Sequence, residues 1–147
     1  MPSEEPYLAA FTLEYAYKRS LGPTLSRFFT GLRDGILLGA RTDGGRVLAP
    51  PTEYDPLTGR DITDLVEVGP GGTVTTWTWC AQPPPPCPLT TPFAWALVHL
   101  DGADTAMLHA VVAPQDTMHT GMRVRARWAD ARSGSLWDLT FEPEPAT

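Results

Sequence analysis

Five extended stretches follow one another in the second half of the sequence: GTVTTWTWC (72–80), FAWALVHL (93–100), TAMLHAVV (105–112), MRVRARWA (122–129) and SLWDLTFE (135–142). Turn-rich connections join them, and no helical period interrupts them. A five-stranded sheet with an uncovered edge would tend to aggregate, so closure of the sheet is favoured. The stretches therefore predict a mainly β fold in which residues 71–147 form a small closed or nearly closed barrel.

The fourth stretch alternates between charged and apolar side chains. Arg123, Arg125 and Arg127 lie on one side, which we call the arginine row, and apolar residues lie on the other. If this strand pairs antiparallel with the fifth stretch, the arginine row lies beside Asp138 and Glu142. The pattern therefore favours a solvated face of paired charges. The same row could instead bind the phosphate of a nucleic acid or of coenzyme A.

The second stretch differs from the others because it is apolar on both sides of the predicted strand. Phe93, Trp95 and Leu97 alternate with alanine and valine. A strand of this kind needs cover on both faces. The barrel core provides one cover, and we expect the N-terminal helix or another protein to provide the other.

Four consecutive prolines, Pro83–Pro86, occupy the connection between the first two stretches. Consecutive prolines favour the extended polyproline II conformation, which is stiff and loses little entropy on docking. The connection is therefore predicted to be a stiff extended segment, which serves either as a contact for another protein or as a rigid spacer.

The N-terminal region, residues 1–35, combines an extended segment with a short helix. Large apolar side chains alternate with smaller or polar ones at Phe11, Leu13, Tyr15 and Tyr17. Such alternation indicates an extended chain lying on an apolar surface. Pro23 suits the first turn of a helix and Gly35 suits its end. Between them, an apolar stripe at helical spacing indicates a face that packs on its own domain: Leu25, Phe28, Phe29 and Leu32.

Residues 36–70 are predicted to form a separate small module with little apolar content. ILLGAR (36–41) and RVLA (46–49) are joined by the turn-forming sequence Asp43-Gly44-Gly45, which favours a hairpin. A turn-rich loop and a short strand candidate at 61–68 follow. Modules of this size usually need a metal or a neighbouring domain for stability.

The charge and cysteine content exclude several functions. The 147 residues include 11 Lys+Arg and 17 Asp+Glu, a net charge of −6 that gives no bulk attraction to nucleic acid or anionic lipid. Two cysteines cannot form a four-thiolate zinc site. No apolar run approaches the roughly 18 residues of a membrane helix, and the N-terminus is acidic where a secretory signal would be basic. We therefore expect a cytoplasmic protein.

Catalytic candidates are few. His99 and His109 could meet across adjacent strands as a general base, but no serine or cysteine lies in the context of an activated nucleophile. The sequence therefore predicts a protein that is not itself an enzyme. An alternative from another class is a single-stranded nucleic-acid-binding protein, in which exposed Trp77 and Trp79 would form a stacking platform used together with the arginine row.

From about residue 20 to residue 142, the order of these parts resembles a known family. The shared features are the short helix, a ribbon with the pair Pro50-Pro51 before its second knuckle, the entry GPGGTV (69–74) into the barrel, and the opening G-M-x-V (121–124) of the fourth strand. They are similar to acyl-CoA-associated OB-fold proteins with an N-terminal rubredoxin-like zinc ribbon, long catalogued as a domain of unknown function of the DUF35 type. The resemblance implies a five-stranded OB-fold barrel preceded by a helix and a zinc-ribbon-like hairpin module.

In that family the ribbon binds zinc through two C-x-x-C knuckles. The corresponding positions here are Gly39 and Thr42, followed by Asp55 and Thr58. These residue types do not make a zinc site. We therefore expect a degenerate, metal-free ribbon, held by its hairpin, by turn hydrogen bonds of Asp and Thr side chains and by the surface on which it docks.

The family also associates with thiolase-superfamily enzymes, and related domains pair with MaoC-like hydratases. The resemblance implies a non-catalytic accessory subunit of a lipid-transfer-protein-like thiolase or aldolase that acts on acyl-CoA in steroid or lipid side-chain degradation. Such a subunit would help to form or cover the acyl-CoA site within a hetero-oligomer. It would bind no cofactor of its own, apart from contact with the coenzyme A of the partner's substrate.

Two sets of residues are the candidates for these contacts. The residues expected to bind the partner are apolar and lie on the helix, the proline connection and the second stretch: Leu25, Phe28, Phe29, Leu32, Pro84, Pro85, Phe93 and Trp95. The residues expected to contact coenzyme A are basic and lie on the second and fourth stretches: His99, Arg123, Arg125 and Arg127.

Overall fold

The computed structural model describes residues 7–146, which form one α-helix, eight strands and two short 3-10 helices. In chain order the helix and strands are α1 (Gly22–Asp34), β1 (Leu38–Arg41), β2 (Val47–Leu48), β3 (Asp64–Glu67), β4 (Gly71–Cys80), β5 (Phe93–Leu100), β6 (Ala106–Val111), β7 (Arg123–Trp128) and β8 (Leu139–Pro143). The 3-10 helices span Gln115–Thr117 and Leu136–Asp138. The mainly β class predicted from the sequence is confirmed.

Strands β4 to β8 form a closed barrel in the order β4-β5-β6-β8-β7, with β7 pairing back onto β4. All pairs are antiparallel except β6 with β8, which are parallel and share one register pair, Val111 with Phe141. This arrangement confirms the predicted five-stranded OB-fold barrel. Its interior is filled by buried apolar residues from every strand: Val74, Ala94, Ala96, Val98, Leu100, Met107, Val111, Val124, Leu139 and Phe141.

The last strand begins later than the sequence predicts. The stretch 135–142 alternates like one strand, but Leu136–Asp138 form a 3-10 helix. Ser135 and Asp138 form a capping box, in which the Ser135 hydroxyl accepts from Trp137 N (3.2 Å) and the Asp138 carboxylate accepts from Ser135 N (3.0 Å). Asp138 is therefore buried in its own loop and does not lie beside the arginine row, which corrects that expectation.

A second, smaller sheet has the order β2-β1-β3. Its hairpin forms as predicted, with Ala40 opposite Leu48 and with Gly45 at φ +84° in the turn. β3 pairs with the other edge of β1 and is shorter than the predicted 61–68. The buried residues of this sheet form only a small cluster, Ala40, Leu48 and Ile62. The sheet therefore needs a neighbour for stability.

That neighbour is the β5–β6 loop of the barrel. The Asp104 carboxylate accepts from Val47 N (2.8 Å), and Asp104 N donates to Val47 O (2.7 Å). The Thr105 hydroxyl bonds both the N–H and the carbonyl of Ala49 (2.8 and 2.9 Å). These four bonds satisfy the backbone groups of Val47 in β2 and of Ala49 directly after it, and they fix the small sheet on the barrel.

Helix α1 packs on the barrel and ends at Gly35, whose φ of +77° is a left-handed C-cap that favours glycine. Phe28 and Leu32 belong to the same buried cluster as the barrel core. The Arg132 guanidinium donates to the carbonyl of Arg33 (2.8 Å) and thereby caps the last turn. Within residues 7–146, no helix is both long enough and apolar enough to cross a membrane.

The segment that precedes α1, residues 7–21, differs from the rest of the described chain. Residues 7–21 lie before the helix, and all of them are exposed. The large apolar side chains of this segment are among the most exposed in the structure, with Phe11 at 82% and Tyr17 at 82%. The sequence predicts that it lies on an apolar surface, but no surface formed by residues 7–146 covers it.

Candidate partner-binding surface

Three of the eight residues expected to bind a partner are buried inside this chain. Phe28 is 3% exposed, Leu32 is fully buried and Phe93 is 1% exposed. They serve the fold and are not available to a partner, which corrects the expectation for these three positions. Leu25 and Phe29 are half-buried. The stripe of α1 therefore packs on its own domain, as its helical spacing indicates.

The outward side of the β5–β6 pair presents apolar residues to solvent. On β5, Ala94, Ala96 and Val98 point into the core, so Trp95 and Leu97 point outward. Leu97 pairs across the strands with Leu108 of β6. Leu97 is 36% exposed and Leu108 is 60% exposed. We call Trp95, Leu97, Leu108, Leu136 and Trp137 the outer apolar face.

Trp137 extends this face toward the helix. The ring centroids of Trp95 and Trp137 lie 5.8 Å apart. The ring centroids of Trp137 and His109 lie 5.5 Å apart. Beyond Trp137 lies a groove of about 410 Å³ lined by Leu21, Phe29, Gly134, Ser135, Leu136 and Trp137. Trp137 therefore covers part of the outward face of β5 at Trp95, and Leu97 stays open to solvent.

The 3-10 helix that carries Trp137 is held by Asp138. The Asp138 carboxylate accepts hydrogen bonds from the backbone N–H groups of Ser133, Gly134 and Ser135, the shortest at 2.6 Å. Burial by itself raises the pKa of Asp138, but these three donors and Arg132 together lower the pKa below its usual range. The carboxylate is thus ionised at neutral pH and positions the loop under Trp137.

The proline connection does not form the stiff extended segment that the sequence predicts. Cys87 N donates to the carbonyl of Pro84 (2.8 Å), which closes a turn over the last three prolines. The chain reverses there, so the polyproline II prediction is wrong for this segment. Pro84 and Pro85 are nevertheless exposed and accessible to a partner.

The arginine row is paired with carboxylates along its length. Arg123 makes two bonds to Asp101 (2.8 and 2.7 Å) and one to Glu144 (2.8 Å). Arg125 bonds Glu142 at 2.9 Å, and Arg127 lies 4.0 Å from the same carboxylate. Three guanidinium groups thus face three carboxylates. The charges of this face are therefore balanced, as the alternation of β7 and β8 predicts. Of the two acidic residues expected beside the row, Glu142 lies there and Asp138 does not.

His99 lies beside this network. Thr73 of β4 pairs with His99 on one side and with Arg123 on the other, so the two basic residues flank one strand. The His99 ring nitrogen Nε2 lies 2.6 Å from the carbonyl of Ala103. The hydrogen bonds from Arg123 lower the pKa of Asp101. The four residues predicted to contact coenzyme A are therefore on one side of the barrel. Arg123 is the arginine nearest to His99, and Arg125 and Arg127 lie farther along β7.

His109 has a structural position in the barrel. It is 3% exposed, and its Nε2 donates to the carbonyl of Leu139 (2.6 Å), because a carbonyl can only accept. This bond joins β6 to the start of β8, where the two strands share a single register pair. Burial lowers the pKa of His109, against the opposing effect of hydrogen bonds to the backbone of Leu139 and Leu136. His109 is therefore uncharged at neutral pH, and its hydrogen bond links β6 to β8 at what we call the barrel seam.

Trp77 and Trp79 do not form an exposed platform. The register of β4 shifts between Val74 and Thr76, and this bulge moves the following residues to the opposite face of the strand. Trp77 and Trp79 consequently point inward and pack against the barrel core. With the arginine row paired as well, both features that suggested nucleic-acid binding are engaged within the chain.

The two turns of the small sheet are held by side chains at positions that the resemblance assigns to the zinc-binding knuckles. The Thr42 hydroxyl accepts from Arg46 N (3.2 Å), and the Asp55 carboxylate accepts from Leu57 N (2.9 Å). Arg60 N donates to the Thr58 hydroxyl (3.3 Å) in the second turn. Thr42 and Asp55 are both buried. The turn hydrogen bonds expected from Asp and Thr are therefore present.

Gly39 is placed differently from the other three positions. It lies inside β1, opposite Val66, where an added Cβ atom would be 2.8 Å from the Cγ1 atom of Val47. Close packing between strands explains a glycine there, and the residue takes no part in the turn that Thr42 opens. In the part of the chain that the structure describes, no three His, Cys, Asp or Glu side chains are grouped to hold a metal ion.

The sequence did not identify the residues that complete the outer apolar face. Leu108, Leu136 and Trp137 lie in stretches that were predicted as ordinary strands. The pairing of Leu108 with Leu97 depends on the β5–β6 register, which one sequence does not give. Only the capping-box spacing of Ser135 and Asp138 offered a signal that Trp137 lies on a helical turn.

Comparison with known proteins supports the resemblance in the barrel. Residues 65–129 match the family model described as the C-terminal OB-fold domain of ChsH2. These residues cover β4 to β7 and the end of β3. The OB-fold predicted for the barrel is thereby confirmed, and the matched residues resemble the OB-fold domain of that family. Among curated proteins, none matches the chain.

Two solved structures share the fold. One is described as "Ltp2-ChsH2(DUF35) aldolase"; it has a TM-score of 0.66 and 24% sequence identity, and the match covers 86% of this chain and 98% of that chain. The other is a DUF35-family protein of unknown function from Sulfolobus solfataricus, with a TM-score of 0.64 and 20% identity over 84% of this chain and 87% of that chain. At these identities the likeness is one of fold.

Proposed function

We propose that this protein is a non-catalytic accessory subunit of a thiolase-superfamily enzyme, of the lipid-transfer-protein-like thiolase or aldolase type, that acts on acyl-CoA. The observation that carries the proposal is the outer apolar face. Leu97, Leu108 and Leu136 are each at least 36% exposed and continue from the Trp95–Trp137 pair into the groove beside Phe29. A continuous patch of exposed apolar side chains is typical of a binding surface.

The charged and histidine side chains are engaged within the chain, which leaves the outer apolar face as the better candidate for binding a partner. Among the described residues, the arginine row is paired with carboxylates, and His109 and His99 each bond a backbone carbonyl. Neither set offers a free nucleophile with a base beside it. An apolar face next to a neutralised charged face suits a subunit that binds protein rather than one that performs chemistry.

The description of the similar structure as an Ltp2-ChsH2 aldolase supports the class of partner, since a protein of this fold occurs there together with an aldolase. The finer proposal is that the enzyme cleaves acyl-CoA with a steroid or lipid side chain, and that this chain helps to cover the acyl-CoA site. Contact of coenzyme A with His99, Arg123, Arg125 and Arg127 stays a prediction. Arg127 is the most accessible of the row, because its nearest carboxylate is 4.0 Å away. A MaoC-like hydratase as an additional partner also stays a prediction.

Co-expression tests the proposal. The chain is produced together with each candidate thiolase-superfamily enzyme of its source organism, with an affinity tag on only one of the two. We expect a complex that survives size-exclusion chromatography and cleaves acyl-CoA faster than the enzyme alone. A chain that stays a monomer and never retains the enzyme would contradict the proposal.

A further inference from the structure

The exposed N-terminal segment, which we call the arm (residues 7–21), has the pattern of a strand without a sheet. Phe11, Leu13, Tyr15 and Tyr17 recur at every second position, so in an extended chain they lie on one side. They are between 62% and 82% exposed. Between them lie Thr12, Glu14 and Ala16. One apolar side and one more polar side are what a strand shows when a single face is buried.

The backbone of the arm is also without partners in the described structure. From residue 7 to residue 20 no helix or strand forms, and no backbone hydrogen bond of a turn or loop joins these residues to the rest of the described chain. An extended segment with free N–H and C=O groups and alternating side chains meets the requirements for strand addition to a sheet edge. The side chains then enter pockets beside that edge.

The apolar area of the arm suits a stable interface. An aromatic side chain buries roughly 150–250 Å² on contact. The three aromatic residues Phe11, Tyr15 and Tyr17 together with Leu13 therefore offer roughly 600 Å². A stable interface buries about 800 Å² on each partner, so the arm supplies most of one side.

The sheets of this chain offer no free edge as long as the alternating stripe of the arm. In the barrel, the longest run without a second paired strand is Thr75–Cys80 of β4. In the small sheet, β2 has two residues, of which Val47 is bonded to Asp104, and β3 has four residues. The seven residues from Phe11 to Tyr17 need a longer edge than any of these. We therefore assign the edge to a different protein.

The arm is also continuous with the surface assigned to the partner. Leu21 ends the arm and lines the groove together with Phe29, Leu136 and Trp137. A protein seated on the outer apolar face thus lies next to the base of the arm. We propose that residues 11–17 add as a strand to a sheet edge of the thiolase-superfamily partner, with Phe11, Leu13, Tyr15 and Tyr17 buried in an apolar groove of that enzyme. This inference rests on the proposed function.

The test compares three forms of the full chain for binding to the thiolase-superfamily enzyme used in the co-expression experiment. They are the natural chain, a stripe variant (Phe11→Ser, Leu13→Ser, Tyr15→Ser and Tyr17→Ser) and a matched control variant (Thr12→Ser, Glu14→Gln and Ala16→Ser). We expect the stripe variant to bind about 100-fold more weakly or worse and the control to bind like the natural chain. Because the substituted side chains of residues 11–17 are exposed in the described structure, all three forms should unfold at the same temperature.

Hydrogen exchange on the complex then separates strand addition from side-chain contact alone. The amides of residues 11–17 should exchange freely in the unbound chain and slowly in the complex. If the stripe variant binds weakly but these amides still exchange freely, strand addition is wrong. Equal binding of natural and stripe forms would overturn the inference and leave the proposed function intact.

The remaining outcomes are equally decisive. If the natural chain itself does not bind the enzyme, the proposed function fails and the inference fails with it. If sedimentation shows that the natural chain is a dimer and the stripe variant a monomer, the arm serves self-association, and the inference is overturned.

Discussion

The two exposed sides of the barrel satisfy their side chains in opposite ways. On β7 and β8 the arginine row meets Asp101, Glu142 and Glu144, so the charges of that face are balanced within the chain. On β5 and β6 the outer apolar face leaves Leu97 and Leu108 in water. Solvated ion pairs are stable in water, whereas apolar side chains gain free energy from further burial. The comparison supports our proposal that a partner is recognised by the apolar side, although the charged side first suggests a ligand.

The largest expected effect comes from placing charge on the apolar side. The double variant Leu97→Asp and Leu108→Asp should weaken binding to the partner enzyme about 100-fold or more, because two charges would be buried without partners. The unfolding temperature should fall as well, because the two carboxylates lie opposite each other across the strands, so it is measured alongside binding to confirm that the variant is folded at the assay temperature. Binding is measured by titration calorimetry.

The control for that variant is Leu57→Asp, which places the same charge at another exposed leucine, in the second turn of the small sheet. It should bind like the natural chain. If the control loses as much affinity as the double variant, the apolar face is not the site.

The second effect concerns the support beneath this face. Asp138→Ala would leave the N–H groups of Ser133, Gly134 and Ser135 without their acceptor. We expect a loss of about 2–3 kcal/mol in the free energy of unfolding, and weaker partner binding because the loop no longer positions Trp137. Urea denaturation measures the first quantity. Unchanged stability would show that Asp138 does not hold the loop.

The third effect is a dependence on pH that arises at the barrel seam. Because burial lowers the pKa of His109 below 6.5, the unfolded chain binds a proton more readily than the folded chain does. Stability should therefore fall as the pH drops below about 6.5 and stop falling at the lower pKa of the folded state, with a slope of at most about 1.4 kcal/mol per pH unit.

Urea denaturation at pH 7.5, 6.5 and 5.5 measures this slope. His109→Gln, which keeps a donor for the carbonyl of Leu139, should flatten the curve in this range. A variant with the same slope as the natural chain would assign the dependence to another group.

The smallest effect is expected on the charged side. Arg125→Gln removes one exposed pair, with Glu142, and should cost less than about 1 kcal/mol of stability. Partner affinity should stay within about twofold of the natural value. An affinity loss comparable to that of the apolar double variant would reverse the comparison between the two sides.

The comparison also shows where the sequence was sufficient. Strands with strict alternation, such as β7, were predicted with their faces correct, because a period of two fixes which side is buried. The errors arose where local hydrogen bonding competes with alternation. The bulge after Val74 turned Trp77 and Trp79 inward, and the capping box of Ser135 converted the start of the last stretch into a 3-10 helix.

The candidate surface was harder to predict than the fold. The sequence indicated that the second stretch needs cover on both faces, which is correct for Trp95 and incomplete for Leu97. It could not show that Phe93 is sealed by this chain or that Leu108 lies opposite Leu97, because both depend on packing between strands distant in sequence. Phe28 and Leu32 were offered to a partner although their spacing fits an internal helix face.

The salt dependence of partner binding tests the central claim most directly. Titration calorimetry of the natural chain with the thiolase-superfamily enzyme of the co-expression experiment is carried out at 50 and 500 mM NaCl. Binding through the outer apolar face predicts dissociation constants that differ by less than about threefold, because burial of apolar surface is not screened by salt. A loss of affinity of about tenfold or more at the higher salt concentration would assign recognition to the arginine row and contradict the account.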